Sequence, residues 1–225
     1  MLIKNIVAIG GGGFGRSLGS LDIEKYIISL VQNESPRVCF IPTASGDSDT
    51  YKLNFYRAFS KLGCKTSHID LFARTENLEK KVSNQDIIYV GGGNTKSMIA
   101  VWKEWNLHRI LKNAYENGIV MSGVSAGAIC WFDKGITDSF ADKLEIIDCL
   151  GLIEGTACPH FDEEKEREPY VKEVIETKKI KSCICIEGNS ALHIKNNNFN
   201  TINFGKDKKC LRIYMENNKL TQENI

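Results

Sequence analysis

One short segment places a serine where it could act as a nucleophile. Gly123-Val124-Ser125-Ala126-Gly127 follows an apolar run directly, and residues 126–132 have a helical pattern. A Gly-x-Ser-x-Gly turn between a buried strand and a helix is a nucleophile elbow, which lifts the serine hydroxyl above the sheet. The N–H of Ala126 is then a natural first donor to an oxyanion. The spacing predicts Ser125 as a nucleophile; the alternative is a glycine-rich turn with a solvent-facing serine.

A second loop, Gly91-Gly92-Gly93-Asn94-Thr95, also follows an apolar run. Glycines let the backbone approach a ligand closely, and the next helix supplies free N–H groups. We therefore predict that Gly92, Gly93 and Asn94 form the other wall of an oxyanion hole and contact substrate. The alternative is a phosphate-binding turn or a plain strand-to-helix connection.

A serine hydroxyl is a weak nucleophile and needs a base. Of the four histidines, His160 stands in an irregular segment downstream of the elbow, and we predict it as that base. The other histidines lie in strand-like or helical runs: His68, His108 and His193. A carboxylate should orient the imidazole. The order of residues leaves three acids open for this role: Asp138, Asp162 and Glu187.

The segment 10–15 fits the G-x-G-x-x-G pattern of dinucleotide-binding loops. No acidic residue ends the second predicted strand, which runs instead into Pro42-Thr43. A glycine-rich loop beside the active site is therefore favoured over nucleotide binding, and we predict no cofactor.

Short apolar runs bounded by glycine alternate with helical segments, one of them predicted over 97–117. This alternation is typical of a parallel sheet covered on both faces, so we predict an α/β fold: a flavodoxin-like three-layer α/β/α sandwich with a mostly parallel sheet. Residues 133–159 look least regular. Three short runs suggest antiparallel strands at one sheet edge: 183–186, 191–194 and 211–214. No linker interrupts the chain, so we expect one domain over residues 1–225.

The composition excludes several classes of protein. Lysine plus arginine number 29 against 28 acids, without the basic excess of a nucleic-acid binder. No apolar stretch is long enough to span a bilayer and no secretory leader is evident, so we expect no membrane partner. The eight cysteines include no CxxC pair, which argues against a metal site and favours a reduced, cytoplasmic protein. The oligomeric state stays open, with a homodimer among the options.

Three motifs together resemble peptidase E, the aspartyl dipeptidase family, in spacing and order: residues 90–95, 123–128 and 159–161. The resemblance spans roughly residues 5–195, and cyanophycinase is the nearest sister family. It implies a fold similar to class I glutamine amidotransferases, with serine replacing cysteine at the elbow.

The resemblance also implies roles for particular residues. Ser125 would be the nucleophile and His160 the base, and the acid would lie in the loop after the elbow helix. That ranks Asp138 above Asp162 and Glu187. An arginine downstream of the histidine would hold the substrate's aspartate carboxylate, which points to Arg167. The alternative for Arg167 is an ion pair with Glu164 or Glu163 on a solvated helix face.

The expected function is a serine-type peptidase acting on small peptides, including dipeptides with an N-terminal aspartate. The alternative is a catalytically weak or inactive paralogue that serves as a small-ligand binding module.

Overall fold

The computed structural model describes residues 2–141 and 143–225. Its helices are α1 (Asp22–Ile28), α2 (Asp49–Lys61), α3 (Leu78–Ser83), α4 (Thr95–Glu104), α5 (Leu107–Glu116), α6 (Ala126–Ile129) and α7 (Arg167–Glu176). Its strands are β1 (Asn5–Ile9), β2 (Arg37–Ile41), β3 (Lys65–His68), β4 (Ile87–Val90), β5 (Val120–Val124), β6 (Phe132–Thr137), β7 (Glu145–Asp148), β8 (Ile153–Cys158), β9 (Ser182–Ile186), β10 (Ser190–Lys195), β11 (Asn198–Asn203), β12 (Cys210–Glu216) and β13 (Lys219–Asn224).

The main sheet has seven strands in the order β11-β10-β1-β5-β4-β2-β3. The run from β1 to β3 is parallel, and β10 joins β1 antiparallel. Alternate residues of β1 enter two different cores: Val7 and Ile9 pack with α1 and α2, whereas Ile6 and Ala8 pack with the helices on the opposite face. Helices therefore cover both faces of this sheet, and the predicted α/β/α arrangement is confirmed.

A second, six-stranded sheet has the order β13-β12-β9-β8-β6-β7. This sheet corrects two expectations. The region 133–159 contains strands β6, β7 and β8, and the runs 183–186 and 211–214 pair with each other in the second sheet. Only the run 191–194 joins the main sheet, as β10, between β1 and the edge strand β11. Strand partners are non-local, so an apolar run cannot reveal which sheet it joins.

Two helix boundaries also differ from expectation. The predicted helix over 97–117 is two helices, α4 and α5, separated at Asn106, whose φ of 54° interrupts the right-handed helix. The helix after the elbow ends at Ile129, and the chain enters β6 at Phe132.

The end of β1 organises the site. The carbonyl of Ile9 accepts a hydrogen bond from Ser125 N at 3.0 Å, and the carbonyl of Gly10 accepts one from His160 N at 3.0 Å. The segments that contain Ser125 and His160 are thereby held against the neighbouring residues Ile9 and Gly10. Across the described ranges, no helix is both long and apolar enough to cross a membrane. No group of three or more His, Cys, Asp or Glu residues there is arranged to hold a metal ion.

Candidate active site

Ser125 occupies a sharp turn between β5 and α6. Its φ of 58° and ψ of −113° lie in a region that L-residues rarely adopt. Such backbone strain persists only where surrounding structure holds it, here the bond from Ser125 N to Ile9. The turn is the strand–serine–helix arrangement expected of a nucleophile elbow.

His160 meets the serine. Its Nε2 lies 2.8 Å from Ser125 Oγ, a normal hydrogen-bond distance. His160 is also held in an unusual conformation, with a φ of 52°, and the residue is only 8% exposed. Because the ring is buried and its backbone is tied to Gly10, the imidazole has a fixed approach to the hydroxyl.

The other ring nitrogen bonds a glutamate. His160 Nδ1 lies 2.6 Å from Glu163 Oε2, in a tight turn closed by Glu163 N donating to the His160 carbonyl at 3.0 Å. With Nδ1–H donating to the carboxylate, Nε2 is left unprotonated and accepts the serine O–H. The three side chains therefore form a serine–histidine–carboxylate relay.

Arg16 completes this cluster from the glycine-rich loop after β1. Its Nη2 donates to Glu163 Oε2 at 2.8 Å, and its Nη1 bonds Oε1. These bonds from Arg16, together with the one from His160, lower the pKa of Glu163 to about 2, against a smaller opposing effect of burial. The carboxylate is consequently ionised throughout the neutral and mildly acidic range.

The glycine-rich loop 10–15 lies directly under the histidine. A Cβ on Gly11 would lie 2.9 Å from His160 Nδ1 and 2.8 Å from Glu163 Oε2. A side chain at Gly11 would thus displace the relay. Close packing against His160 and Glu163 accounts for this glycine without a bound nucleotide.

The glycine loop predicted as an oxyanion wall lies next to the serine. A Cβ on Gly92 would lie 3.2 Å from Ser125 Cβ, so the Gly91–Gly93 backbone borders the nucleophile. Ala126 is the first residue of α6, and an N–H at that position has no intrahelical acceptor. Gly92 N also lies 3.4 Å from the Tyr51 hydroxyl, a long contact.

Asn94 and Gly93 support the loop instead of reaching into the site. The Asn94 side chain caps α4 by accepting from Ser97 N at 2.8 Å, and its Nδ2 donates to the Ser139 carbonyl at 3.3 Å. Gly93 packs so closely on the preceding turn that a Cβ would lie 2.2 Å from the Ala44 carbonyl oxygen. The expectation that Asn94 contacts substrate is therefore corrected to a capping role.

The acid expected at the histidine is also corrected. Glu163, and not Asp138, bonds His160 Nδ1. Asp162 accepts from Gly188 N at 2.7 Å and pairs with Lys208, and Glu187 accepts from Lys209 N at 3.0 Å. Asp138 lies in a groove between the β6–β7 connection and α7. The chain turns sharply after His160, and this turn brings the carboxylate of Glu163, three residues later, to the imidazole ring.

Arg167 does not face a substrate pocket. Its side chain is 2% exposed, its Nη2 lies 2.6 Å from Glu164 Oε2, and its Nη1 donates to the Ile136 carbonyl at 3.3 Å. The pairing with Glu164 is the alternative considered from the sequence, although the guanidinium is buried and not on a solvated face. The expectation that Arg167 holds a substrate carboxylate is corrected accordingly.

Sequence reasoning missed Glu163 and Arg16 as site residues. The spacing of His160 and Glu163, three residues apart, was an available signal, because such side chains share one side of a helical turn. Arg16 gave no local signal, since its contact with Glu163 joins positions 147 residues apart in the chain.

A serine at a strand-to-helix turn, bonded to a histidine that also bonds a carboxylate, is an arrangement found in serine hydrolases. The chain belongs to peptidase family S51, whose model matches residues 6–202. Membership of this family supports a serine-type peptidase.

Relatives agree with this assignment. The chain is 42% identical over 222 residues to YgaJ of Bacillus subtilis (strain 168), an uncharacterized peptidase, covering 98% of this chain and 96% of that protein. A crystal structure of a peptidase from an acI-B1 actinobacterium has a TM-score of 0.75 at 19% identity and covers 100% of this chain and 97% of that one. A Listeria monocytogenes EGD-e structure, provisionally named a peptidase E protein, has a TM-score of 0.68 at 22% identity. That match covers 90% of this chain and 100% of the Listeria chain. The last two similarities show the fold, and the resemblance to peptidase E is confirmed.

Proposed function

We propose that this chain hydrolyses small peptides, including dipeptides with an N-terminal aspartate, through Ser125, His160 and Glu163. The observation that carries the proposal is the 2.8 Å contact between Ser125 Oγ and His160 Nε2, with Glu163 on the opposite ring nitrogen. This geometry suits general-base activation of a hydroxyl.

In this mechanism Ser125 Oγ attacks the scissile carbonyl carbon while His160 Nε2 takes the hydroxyl proton. The oxyanion is stabilised by the N–H of Ala126, and the N–H of Gly92, which makes only a long contact with Tyr51, is the candidate second donor. His160 then gives its proton to the leaving amine, and the acyl-serine ester forms. Water, deprotonated by His160, attacks the ester and restores the free hydroxyl. Glu163 stays ionised and stabilises the imidazolium at each stage.

The preference for small substrates, and among them for peptides with an N-terminal aspartate, rests on the resemblance to peptidase E. We also propose a cytoplasmic location, supported by the eight free cysteines.

The test is a dipeptide library incubated with the wild type and with Ser125→Ala. We expect release of free amino acids from short peptides by the wild type, enriched for Asp-X sequences, and a loss on the order of 10⁶ in turnover for the variant. Cleavage without preference for Asp-X would contradict the proposed aspartyl specificity but would still support a peptidase. Binding of dipeptides without cleavage would favour a small-ligand binding module.

A further inference from the structure

Arg16 is not a member of the proposed relay, yet it contacts two of its side chains. Its Nη2 is 2.8 Å from Glu163 Oε2 and 3.2 Å from His160 Nδ1. Its Nη1 bonds the second carboxylate oxygen of Glu163. A planar guanidinium that bonds both oxygens fixes the plane of the carboxylate. The carboxylate oxygen that bonds His160 Nδ1 is therefore also held by Arg16.

The backbone at Arg16 is held in place, although the side chain of this residue is half exposed. Arg16 N donates to the Gly13 carbonyl at 3.0 Å. Phe14, between them, is fully buried, and its N–H donates to Glu24 Oε1 at 2.7 Å. The guanidinium thus projects from a turn fixed by buried contacts to the edge of the relay.

Few other charges compete at this position. Two further acids act on Arg16, Asp162 and Glu164, and each has its own cation, Lys208 and Arg167 respectively. The hydroxyl of Ser125 is the group on the far side of the imidazole. In the part of the chain that the structure describes, Glu163 and Arg16 are the charged side chains within hydrogen-bond distance of the His160 ring.

We propose that Arg16 is a positioning residue that aligns Glu163 with His160, and that this alignment lets His160 take the Ser125 proton. The proposal rests on the function proposed above. The guanidinium keeps Oε2 in line with Nδ1–H, so that the imidazole presents its unprotonated Nε2 to the serine hydroxyl. Arg16 neither gives nor takes a proton; the proton moves from Ser125 Oγ to His160 Nε2.

Inactivation by diisopropyl fluorophosphate tests this without a known substrate. The serine oxygen attacks phosphorus and fluoride leaves, and the neutral reagent has no carboxylate for Arg16 to bind. We would measure the second-order inactivation rate at neutral pH for the wild type, Arg16→Met and Arg16→Lys. Arg74→Met is the matched control, because Arg74 is 88% exposed and pairs with Glu76 alone among the described ion pairs.

Arg16→Met is expected to lower the rate at neutral pH by roughly tenfold to a hundredfold, the value of a charged hydrogen bond. Arg16→Lys should restore only part of the rate, since an ammonium lacks the planar fork. Arg74→Met should match the wild type.

A double variant separates positioning from folding. Because Arg16 acts through Glu163, Arg16→Met in a Glu163→Gln background should cause no further loss. Equal losses in both backgrounds, or no effect of Arg16→Met at all, would overturn the proposal while leaving the proposed function standing. Failure of the reagent to modify Ser125 in the wild type would overturn both.

Discussion

Two adjacent glutamates each bind an arginine, in opposite surroundings. Glu163 bonds Arg16, whose side chain is 50% exposed, and also bonds His160. Glu164 bonds Arg167, whose side chain is 2% exposed at the start of α7. In the proposed mechanism the same ion-pair chemistry therefore supports two roles: one carboxylate orients the histidine base, and the other neutralises a charge inside the fold. The role of each carboxylate depends on which other group it contacts besides its arginine.

The largest expected difference is in catalysis. Glu163→Gln should lower turnover by about 10⁴, because the amide favours the wrong imidazole tautomer. Glu164→Gln, one residue away, should retain turnover near that of the wild type, because Glu164 faces Arg167 and not the histidine. Turnover on a peptide that the wild type cleaves, measured beside circular dichroism, checks both variants. Equal losses of turnover in the two variants would contradict the different roles given to the Glu163–Arg16 and Glu164–Arg167 pairs.

For stability, we expect the larger loss in Glu164→Gln and the smaller loss in Glu163→Gln. Glu164→Gln leaves the buried guanidinium of Arg167 without its counter-charge, and we expect a loss of about 2–3 kcal/mol in the free energy of unfolding, below the usual cost because Glu164 is partly solvated. Urea denaturation measures this loss. Glu168→Gln is the control, because its exposed pair with Lys172 should be worth only about 0.5 kcal/mol. A Glu164 variant as stable as the control would contradict a structural role.

A third glutamate lies near the site without an arginine. Glu24 is 0% exposed, its Oε2 has no hydrogen-bond partner, and burial raises the pKa of its carboxyl. An acid whose pKa is higher in the folded state costs stability as pH rises above the unfolded value, near 4.3. Glu24→Gln should therefore raise Tm by about 2–4 °C at pH 8, with the gain closing towards pH 4. Thermal scans at the two pH values test this, and a gain independent of pH would contradict it.

The smallest effect is expected at the acid first chosen from the sequence. Asp138→Asn should change turnover by no more than about twofold, because Glu163 already occupies His160 Nδ1. A loss comparable with that of Glu163→Gln would show that Asp138 replaces Glu163 during catalysis. Turnover of the two variants, assayed in parallel, decides between the acids.

Local features of this chain were predictable from its sequence. The elbow at Ser125 and the parallel sheet that carries it follow from the glycine spacing around the serine and from apolar runs that alternate with helices. Each depends on residues close together in the chain, where the sequence period reflects the backbone conformation. His160 could be chosen because the other histidines fall in regular elements.

Contacts between distant segments were not predictable in the same way. The second sheet depends on which strands pair, and its strands look like those of the main sheet in sequence. Arg16 reaches Glu163 across most of the chain, and Arg167 turns inward although it lies among acids that suggested a solvated surface. These outcomes are set by tertiary packing, which local patterns do not encode.

The central claim is that His160 activates Ser125. Peptide mapping by mass spectrometry after fluorophosphonate labelling tests this most directly. The account predicts one adduct, on the peptide that contains Ser125, formed rapidly in the wild type and slower by several orders of magnitude in His160→Ala. An adduct on another serine, or labelling of Ser125 at the same rate in both proteins, would contradict it.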